Sequence, residues 1–232
     1  MPPNEPIHAR PWAPPYLAPL LAFLLLSTGE SWLPKSGGEV RPTAYALYYT
    51  IKIILVTAIA WWGRPAWRDL APRPSPFWMA ASIGLGALVV ALWLGLDGRY
   101  PALPLQEPRA GFDPDSLPPG WRAPFIAVRL YGLVLVVPLI EELFWRSFLI
   151  RWITRHRFRE LPIGAVTWSA AAITSALFAL AHPEWLPALL TGLLWAALLR
   201  LSRSVAACWI SHLTANLLLG LHVLAHSAWK FW

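Results

Sequence analysis

Two adjacent carboxylates, Glu141 and Glu142, lie together with Arg146 in a stretch that is otherwise apolar enough to cross a membrane. A charged side chain inside a bilayer costs about 2.5–3.5 kcal/mol on insertion scales, so it marks a functional site by default. On a helix, Glu142 and Arg146 are four residues apart and share a face, so they can neutralise each other. Glu141 points about 100° away from Glu142 and has no evident partner in its own helix. It is therefore the carboxylate that could do chemistry.

Further polar side chains lie in two later apolar stretches. One of these stretches ends at His182, four residues after Phe178. The other contains His212 and Asn216, which a spacing of four places on one helical face. A carboxylate, two histidines and an asparagine are the groups needed to activate a water molecule and to stabilise an oxyanion.

The depth of these side chains can be compared by counting residues from the nearest basic loop. At 1.5 Å per residue, Glu141 and His212 lie ~15 Å and ~14 Å from that loop, so the two agree. His182 would lie ~35 Å away if its helix began directly after Arg159, too far to meet Glu141. We therefore expect residues 158–167 to lie at the membrane interface, with the fifth helix beginning after them.

The composition is that of a membrane protein. Of the 232 residues, 57% are hydrophobic and only 13% are charged, whereas soluble domains carry about a quarter charged residues. Sixteen tryptophans fit the interfacial belts of a polytopic membrane protein. The net charge of +7 comes from residues between apolar runs rather than from one patch, so no nucleic-acid partner is expected. We predict an all-α, polytopic transmembrane helix bundle of about seven to eight spans.

The chain divides into a Pro-rich N-terminal segment, residues 1–15, and a single integral membrane domain, residues 16–232, with its catalytic core at about 125–225. The first apolar run lacks a compact basic region and a clear cleavage site, so we predict an uncleaved span rather than a signal peptide. A helix needs ~20 residues to cross the hydrocarbon core. Seven runs of about this length are predicted as spans: 16–33, 43–62, 77–96, 125–150, 163–181, 186–200 and 204–225.

Clusters of arginine follow the second, fourth and sixth spans, which lie on the same side of the membrane if the helices alternate. The positive-inside rule makes that side cytoplasmic, and it places the N-terminus there as well. The segment from Arg151 to Arg159 is accordingly interpreted as a lipid-facing segment that sets the topology. The single cysteine, Cys208, excludes an intramolecular disulfide and a cysteine-based zinc site, and we interpret it as a small buried hydrophobic residue.

Three motifs carry a family resemblance. Glu-Glu-x-x-x-Arg at 141–146, Phe-x-x-x-His at 178–182 and His-x-x-x-Asn at 212–216 resemble, in order, the motifs of the CPBP family. That family comprises the type II CAAX prenyl endopeptidases and the bacteriocin-processing or immunity (Abi) proteins. The chain departs from the family in having seven predicted spans where eight are typical.

The residues around these motifs are similar to those of one bacterial branch, the CAAX prenyl protease-related proteins associated with exosortase systems. The similarity implies a location in the bacterial inner membrane. It also implies a membrane-anchored protein or peptide substrate with a C-terminal sorting helix, rather than a prenylated tail, and an exosortase-type sorting system as a partner besides the lipid bilayer. The similar segments are Gly-Phe-Asp-Pro at 111–114, Glu-Glu-Leu-Phe-Trp-Arg-Ser-Phe-Leu at 141–149, Asn-Leu-Leu-Leu-Gly at 216–220 and the terminal Trp-Lys-Phe-Trp.

The resemblance implies an intramembrane glutamate protease that works without a cofactor. Glu141 would be the general base that deprotonates a water molecule, and His182 would position or share that water. The other motif residues would bind the oxyanion or support the site: His212 and Asn216 as hydrogen-bond donors, and Glu142, Arg146 and Phe178 as supporting residues.

Purely structural roles are open for some of these residues. Glu142 and Arg146 could form a buried ion pair that fixes helix packing. His182 could cap the fifth helix. His212 and Asn216 could form hydrogen bonds between helices.

Two other functions also stay open. In one, Glu141, His182 and His212 would ligate zinc in a metal-dependent membrane protease, although the sequence has no His-Glu-x-x-His helix. In the other, the chain would be a non-catalytic membrane protein, a binding or immunity protein with the same fold. Sensitivity to a chelator tests the first alternative, and the Glu141→Gln variant tests the second.

Overall fold

A computed structural model describes residues 13–36, 39–71, 73–103 and 111–232, so most of the predicted Pro-rich segment lies outside the described residues. Within these ranges the chain is an all-α bundle, as predicted, with one short antiparallel pairing between β1 (Lys35–Ser36) and β2 (Glu39–Val40). The apolar helices of the described chain are α1 (Pro14–Thr28), α2 (Pro42–Trp62), α3 (Pro76–Leu96), α4 (Arg122–Thr154), α5 (Trp168–Leu180), α6 (Trp185–Ser202) and α7 (Val205–His226). Short 3₁₀ helices cover Gly29–Trp32, Arg64–Leu70, Pro114–Ser116, Phe158–Glu160 and Trp229–Phe231.

Five of the described helices, α2, α3, α4, α6 and α7, are long and apolar enough to cross a membrane. The other two, α1 and α5, have 15 and 13 residues. The helices correspond one to one with the predicted spans. Together these apolar helices identify an integral membrane protein.

The fifth helix begins late, as the depth argument required. The chain forms a 3₁₀ helix at Phe158–Glu160 and then turns at Gly164, whose φ of +87° suits a residue without a side chain. The Thr167 hydroxyl then accepts a hydrogen bond from the amide of Ala170, 3.2 Å away, and caps α5. This start brings the end of α5, and His182 after it, to a depth at which they can face α4.

Glycines allow two helix pairs to pack closely. A methyl group at Gly86 of α3 would lie 2.5 Å from the carbonyl oxygen of Ser211 in α7. A methyl group at Gly192 of α6 would lie 2.8 Å from the Ser175 Cβ in α5. Small residues at such crossings let helix backbones approach one another inside a membrane. The positions of α5 and α7, which flank the polar residues of interest, are thus fixed by backbone contact.

Arg151 is not lipid-facing, so that interpretation is wrong for this residue. Its side chain is 5% exposed, and Nη2 lies 2.6 Å from Asp69 Oδ2 in the loop after α2. The same carboxylate oxygen accepts hydrogen bonds from Tyr16 of α1, at 2.9 Å, and from Ser147 of α4. A buried guanidinium needs a charged partner, and Asp69 supplies it. The contact joins the loops after α2 and α4 at one end of the bundle.

The third basic loop lies close to the loop after α4. Arg200 of α6 donates a hydrogen bond to the carbonyl of Val166, and Gly164 packs against Arg203. The loop between α4 and α5 thus contacts the end of α6. The cytoplasmic assignment of this end, and of the N-terminus, stays a prediction.

Candidate active site

The helix that carries the carboxylate pair is irregular on both sides of it. Within α4, π-helical turns at Tyr131–Val136 and Leu143–Leu149 flank the α-helical segment Val137–Glu142. π-Helical turns are rare in proteins overall, and those that occur are often found at functional sites. Pro138 accounts for the first, because it lacks the amide hydrogen that an α-helix requires and its ring crowds the preceding turn.

The same proline explains the position of Asn216. In the first π-helical turn, the amide of Val137 bonds to the carbonyl of Gly132, five residues back. In that register the carbonyl of Leu133 would accept from residue 138, which as a proline has no hydrogen to donate. The Asn216 side chain supplies the bond instead, with Nδ2 2.7 Å from the Leu133 oxygen. Asn216 therefore fastens α7 to α4 at a carbonyl that Pro138 leaves unpaired.

Glu142 joins both helices through its carboxylate and is completely buried. One oxygen, Oε2, lies 3.4 Å from Arg146 Nε, so the predicted ion pair is confirmed, although its geometry is not that of a hydrogen bond. The other oxygen, Oε1, lies 2.9 Å from His212 Nδ1. Because a carboxylate can only accept, Nδ1 of His212 carries the hydrogen. The pairing also fixes the orientation of the imidazole ring.

Trp195 of α6 completes the surroundings of this pair and was not predicted from the sequence. Its indole stacks on His212, with ring centroids 4.3 Å apart, and its Nε1 donates to the Ser211 hydroxyl at 2.9 Å. The Arg146 guanidinium lies 5.1 Å from the Trp195 ring centroid and 4.8 Å from that of Phe178. Phe178 therefore packs against the Arg146 guanidinium. As one of sixteen tryptophans, Trp195 has no distinguishing signal in the sequence.

Cys208 lies behind the same tryptophan. Its thiol is fully buried and donates a weak hydrogen bond to the Trp195 carbonyl, with Sγ 3.4 Å from the oxygen. The prediction that Cys208 is a buried hydrophobic residue is confirmed.

His182 follows the last turn of α5. Its Nδ1 lies 2.7 Å from the carbonyl oxygen of Phe178, and the two rings are in contact with centroids 4.3 Å apart. Trp93 of α3 meets the imidazole edge to face at 6.0 Å. Since a carbonyl can only accept, Nδ1 carries the hydrogen, and Nε2 of the neutral ring is then a hydrogen-bond acceptor.

Glu141 differs from its neighbour in its environment. It is 8% exposed, and within the ranges that the structure describes its Oε2 is buried without a hydrogen-bond partner. It lines a cavity of about 360 Å³ that is also lined by His182, His212 and Asn216. The four residues predicted to be catalytic therefore face one cavity inside the helix bundle.

The described part of the chain offers no group of three or more His, Cys, Asp or Glu side chains arranged to hold one metal ion. The ligand set proposed for zinc, Glu141 with His182 and His212, lines one cavity without forming such a group.

The comparison with protein families bears on the segment that builds this cavity. Residues 123–218 match the family model described as Rce1-like, type II CAAX prenyl endopeptidase Rce1-like. The match spans less than half of the chain, but it contains all three motifs, from Glu141 to Asn216. No curated protein and no solved structure gives a significant match. The match covers the cavity residues of α4, α5 and α7, and it supports the resemblance of this segment to the CPBP family.

Proposed function

We propose that this chain is an intramembrane endopeptidase that hydrolyses a peptide bond of a membrane-associated protein, with Glu141 as the general base. The observation that carries the proposal is the buried carboxylate of Glu141, which lacks a hydrogen-bond partner among the described residues and faces a cavity shared with His182, His212 and Asn216. Burying a carboxylate without a partner is costly. A purely structural carboxylate would be paired, as Glu142 is, so the unpaired one is retained for chemistry.

In the first step, Glu141 removes a proton from a water molecule as the water oxygen attacks the scissile carbonyl carbon. His182 accepts the second hydrogen bond of that water through Nε2, because its Nδ1 hydrogen is held by the Phe178 carbonyl. The C–N bond of the tetrahedral intermediate then breaks. The proton on Glu141 passes to the departing amine, which regenerates the carboxylate.

The oxyanion would be bound by Asn216 and His212. Asn216 uses one amide hydrogen on Leu133 and has a second one to donate. In this proposal His212 donates one N–H to Glu142 and the other to the oxyanion, so both ring nitrogens carry hydrogen when the oxyanion forms. One such donor is typically worth ~10²–10³ in turnover.

The walls of the cavity support a proposal for the substrate class. Apolar and aromatic side chains such as Trp145, Val137 and Leu219 line it alongside the polar ones, so it suits an apolar peptide segment. We propose a membrane-anchored protein or peptide as the substrate, processed within an exosortase-type sorting system of the bacterial inner membrane, with the N-terminus of the protease in the cytoplasm. This part of the proposal rests on the sequence resemblance.

The test is cleavage of co-reconstituted candidate substrates by the wild type and by Glu141→Gln, each with and without a strong chelator. We expect Glu141→Gln to lose cleavage but to melt at the same temperature as the wild type. We expect cleavage by the wild type to be unaffected by the chelator. Glu160→Gln is the matched control, because among the described residues this exposed carboxylate pairs only with the surface arginines Arg155 and Arg157.

Two results would contradict the proposal. Cleavage that the chelator abolishes and zinc restores would show a metal-dependent protease. Equal behaviour of the wild type and Glu141→Gln on every substrate, and equal phenotypes in cells, would show a binding protein with a structural Glu141.

A further inference from the structure

The cavity that contains Glu141 also reaches a cation nearer the start of α4. Arg129 lines this cavity and is only 6% exposed. Its guanidinium donates to the Tyr45 hydroxyl and lies over the rings of Tyr49 and Trp232, 4.6 Å and 5.7 Å from their centroids. Within the described ranges it forms no ion pair with any carboxylate.

The neighbouring charges do not neutralise Arg129. Lys52 of α2 also lines the cavity, but it is paired with Glu30 and lies 3.3 Å from the Ser27 hydroxyl. Lys52 and Glu30 neutralise each other, and the Arg129 guanidinium has no ion-pair partner among the described residues. A buried charge within a membrane span without a counter-ion marks a functional site.

We propose that Arg129 binds the C-terminal carboxylate of the peptide that is cleaved at Glu141, an inference that rests on the proposed function. A guanidinium presents a planar fork of N–H groups that matches a carboxylate and can bind both oxygens. A chain end that enters the cavity brings this anion with it. The aromatic rings around the guanidinium exclude water, which strengthens the contact.

The separation of the two groups sets the length of the fragment that is released. Arg129 and Glu141 are twelve residues apart in α4, or about 18 Å at the rise of a helix. An extended peptide spans about 3.3 Å per residue, so about five residues bridge this distance. Arg129 would thus act as a ruler, and cleavage would fall about four to six residues before the carboxyl end of the substrate.

A lipid phosphate is the competing anion. Its charge would suit Arg129, but its headgroup belongs at the bilayer surface, whereas the guanidinium is nearly buried and opens onto the cavity of Glu141. The geometry therefore favours a peptide chain end.

Binding can be tested without cleavage in the Glu141→Gln background. The probe is a fluorescent, N-dodecanoylated hexapeptide of alanine and leucine, made with a free C-terminal carboxylate or with a C-terminal amide, in neutral detergent. We expect the carboxylate form to bind about tenfold to a hundredfold more tightly, the range for a charge-assisted hydrogen-bonded contact. Adding Arg129→Gln should remove this difference, and adding Arg129→Lys should restore part of it.

Arg122→Gln is the matched control, because Arg122 lies on the same helix but is half exposed and pairs with Asp115 outside the cavity. It should keep the preference for the carboxylate form. Equal binding of the two forms, failure of both to bind, or insensitivity to Arg129→Gln would overturn the inference. Displacement of both forms alike by dioleoylphosphatidylglycerol would show a phosphate site and would overturn it as well.

The wild type then separates this inference from the proposed function. Mass spectrometry of the products should show released fragments of about four to six residues, whatever their sequence. Cleavage at positions unrelated to the chain end would overturn the role of Arg129 and leave the protease intact. Carboxylate-dependent binding without any cleavage would count against Glu141 as a base and leave Arg129 as a carboxylate site.

Discussion

His212 Nδ1 lies 2.9 Å from Glu142 Oε1, so a histidine of α7 is bonded to a completely buried carboxylate of α4. Because of this bond, the two adjacent glutamates have different environments. Glu142 orients a ring and balances Arg146, while Glu141 stays available to the cavity.

Glu142→Gln should lower the free energy of unfolding by roughly 3–5 kcal/mol, because it leaves Arg146 buried without its counter-ion. Thermal unfolding in detergent would measure the loss, and cleavage should fall with it. Glu141→Gln should reduce cleavage alone, since it breaks no contact in the described structure. Equal melting temperatures of Glu142→Gln and the wild type would refute the structural role of the buried pair.

The bond between Asn216 and the Leu133 carbonyl predicts a coupling between Asn216 and Pro138. Asn216→Ala leaves the Leu133 oxygen unsatisfied and should cost about 1–3 kcal/mol of stability. In a Pro138→Ala background, residue 138 has an amide hydrogen for that oxygen, so the same Asn216→Ala change should cost less. Unfolding of the four proteins of this cycle measures the coupling.

The same cycle separates the two roles of Asn216. If Asn216 also binds the oxyanion, cleavage should stay ~10²–10³-fold low in the double variant even where stability is recovered. Additive stability losses in the cycle would contradict the proposed exchange of hydrogen bonds, and full recovery of cleavage would contradict the oxyanion role.

The crossing of α3 and α7 predicts unequal effects at two glycines of α3. Gly86→Ala should destabilise the protein and reduce cleavage, because the new methyl would lie 2.5 Å from the Ser211 oxygen and push α7, with His212, away from α4. Gly84→Ala is the matched control, since nothing lies within 4 Å of a methyl there. It should be neutral or gain up to about 1 kcal/mol from the helix preference of alanine. Similar melting curves for the two variants would show that the crossing tolerates a shift.

The contact between Arg151 and Asp69 predicts that Arg151 and Arg122, both in α4, contribute unequally to the free energy of unfolding. Arg151→Met should lower the free energy of unfolding by about 3–5 kcal/mol, because Asp69 loses the partner that holds it in a largely buried position. Arg122→Met removes a half-exposed surface pair and should cost about 0–1 kcal/mol. Chemical unfolding in detergent would measure the free energy of unfolding of both variants. Equal decreases would show that burial does not determine how much these ion pairs contribute to stability.

The sequence predicted what depends on local spacing. The pair Glu142–Arg146 follows from a separation of four residues, and the seven helices follow from runs of apolar residues. The late start of α5 followed from the depth of His182, because a helix rise leaves little freedom. These inferences need only the geometry of a single helix.

The partners that join different helices could not be read from spacing. Nothing in the sequence indicates that His212 meets Glu142, or that the Leu133 carbonyl needs Asn216, because both depend on how α7 crosses α4. Arg129, in contrast, was missed although a signal existed. It is a charged residue inside a predicted span, and the rule that singled out Glu141 applies equally to it.

The contact of Asp69 with Arg151 and Ser147 also bears on the order in which the helices assemble. Asp69 is synthesised 82 residues before Arg151, and chains generally fold from the N-terminal end as they are made. While the first three helices enter the membrane, Asp69 in the loop after α2 therefore lacks its ion-pair partner Arg151. The end of α4 brings Arg151 and Ser147 to Asp69 together. Closure of this loop against α4 thus coincides with the arrival of the helix that carries Glu141.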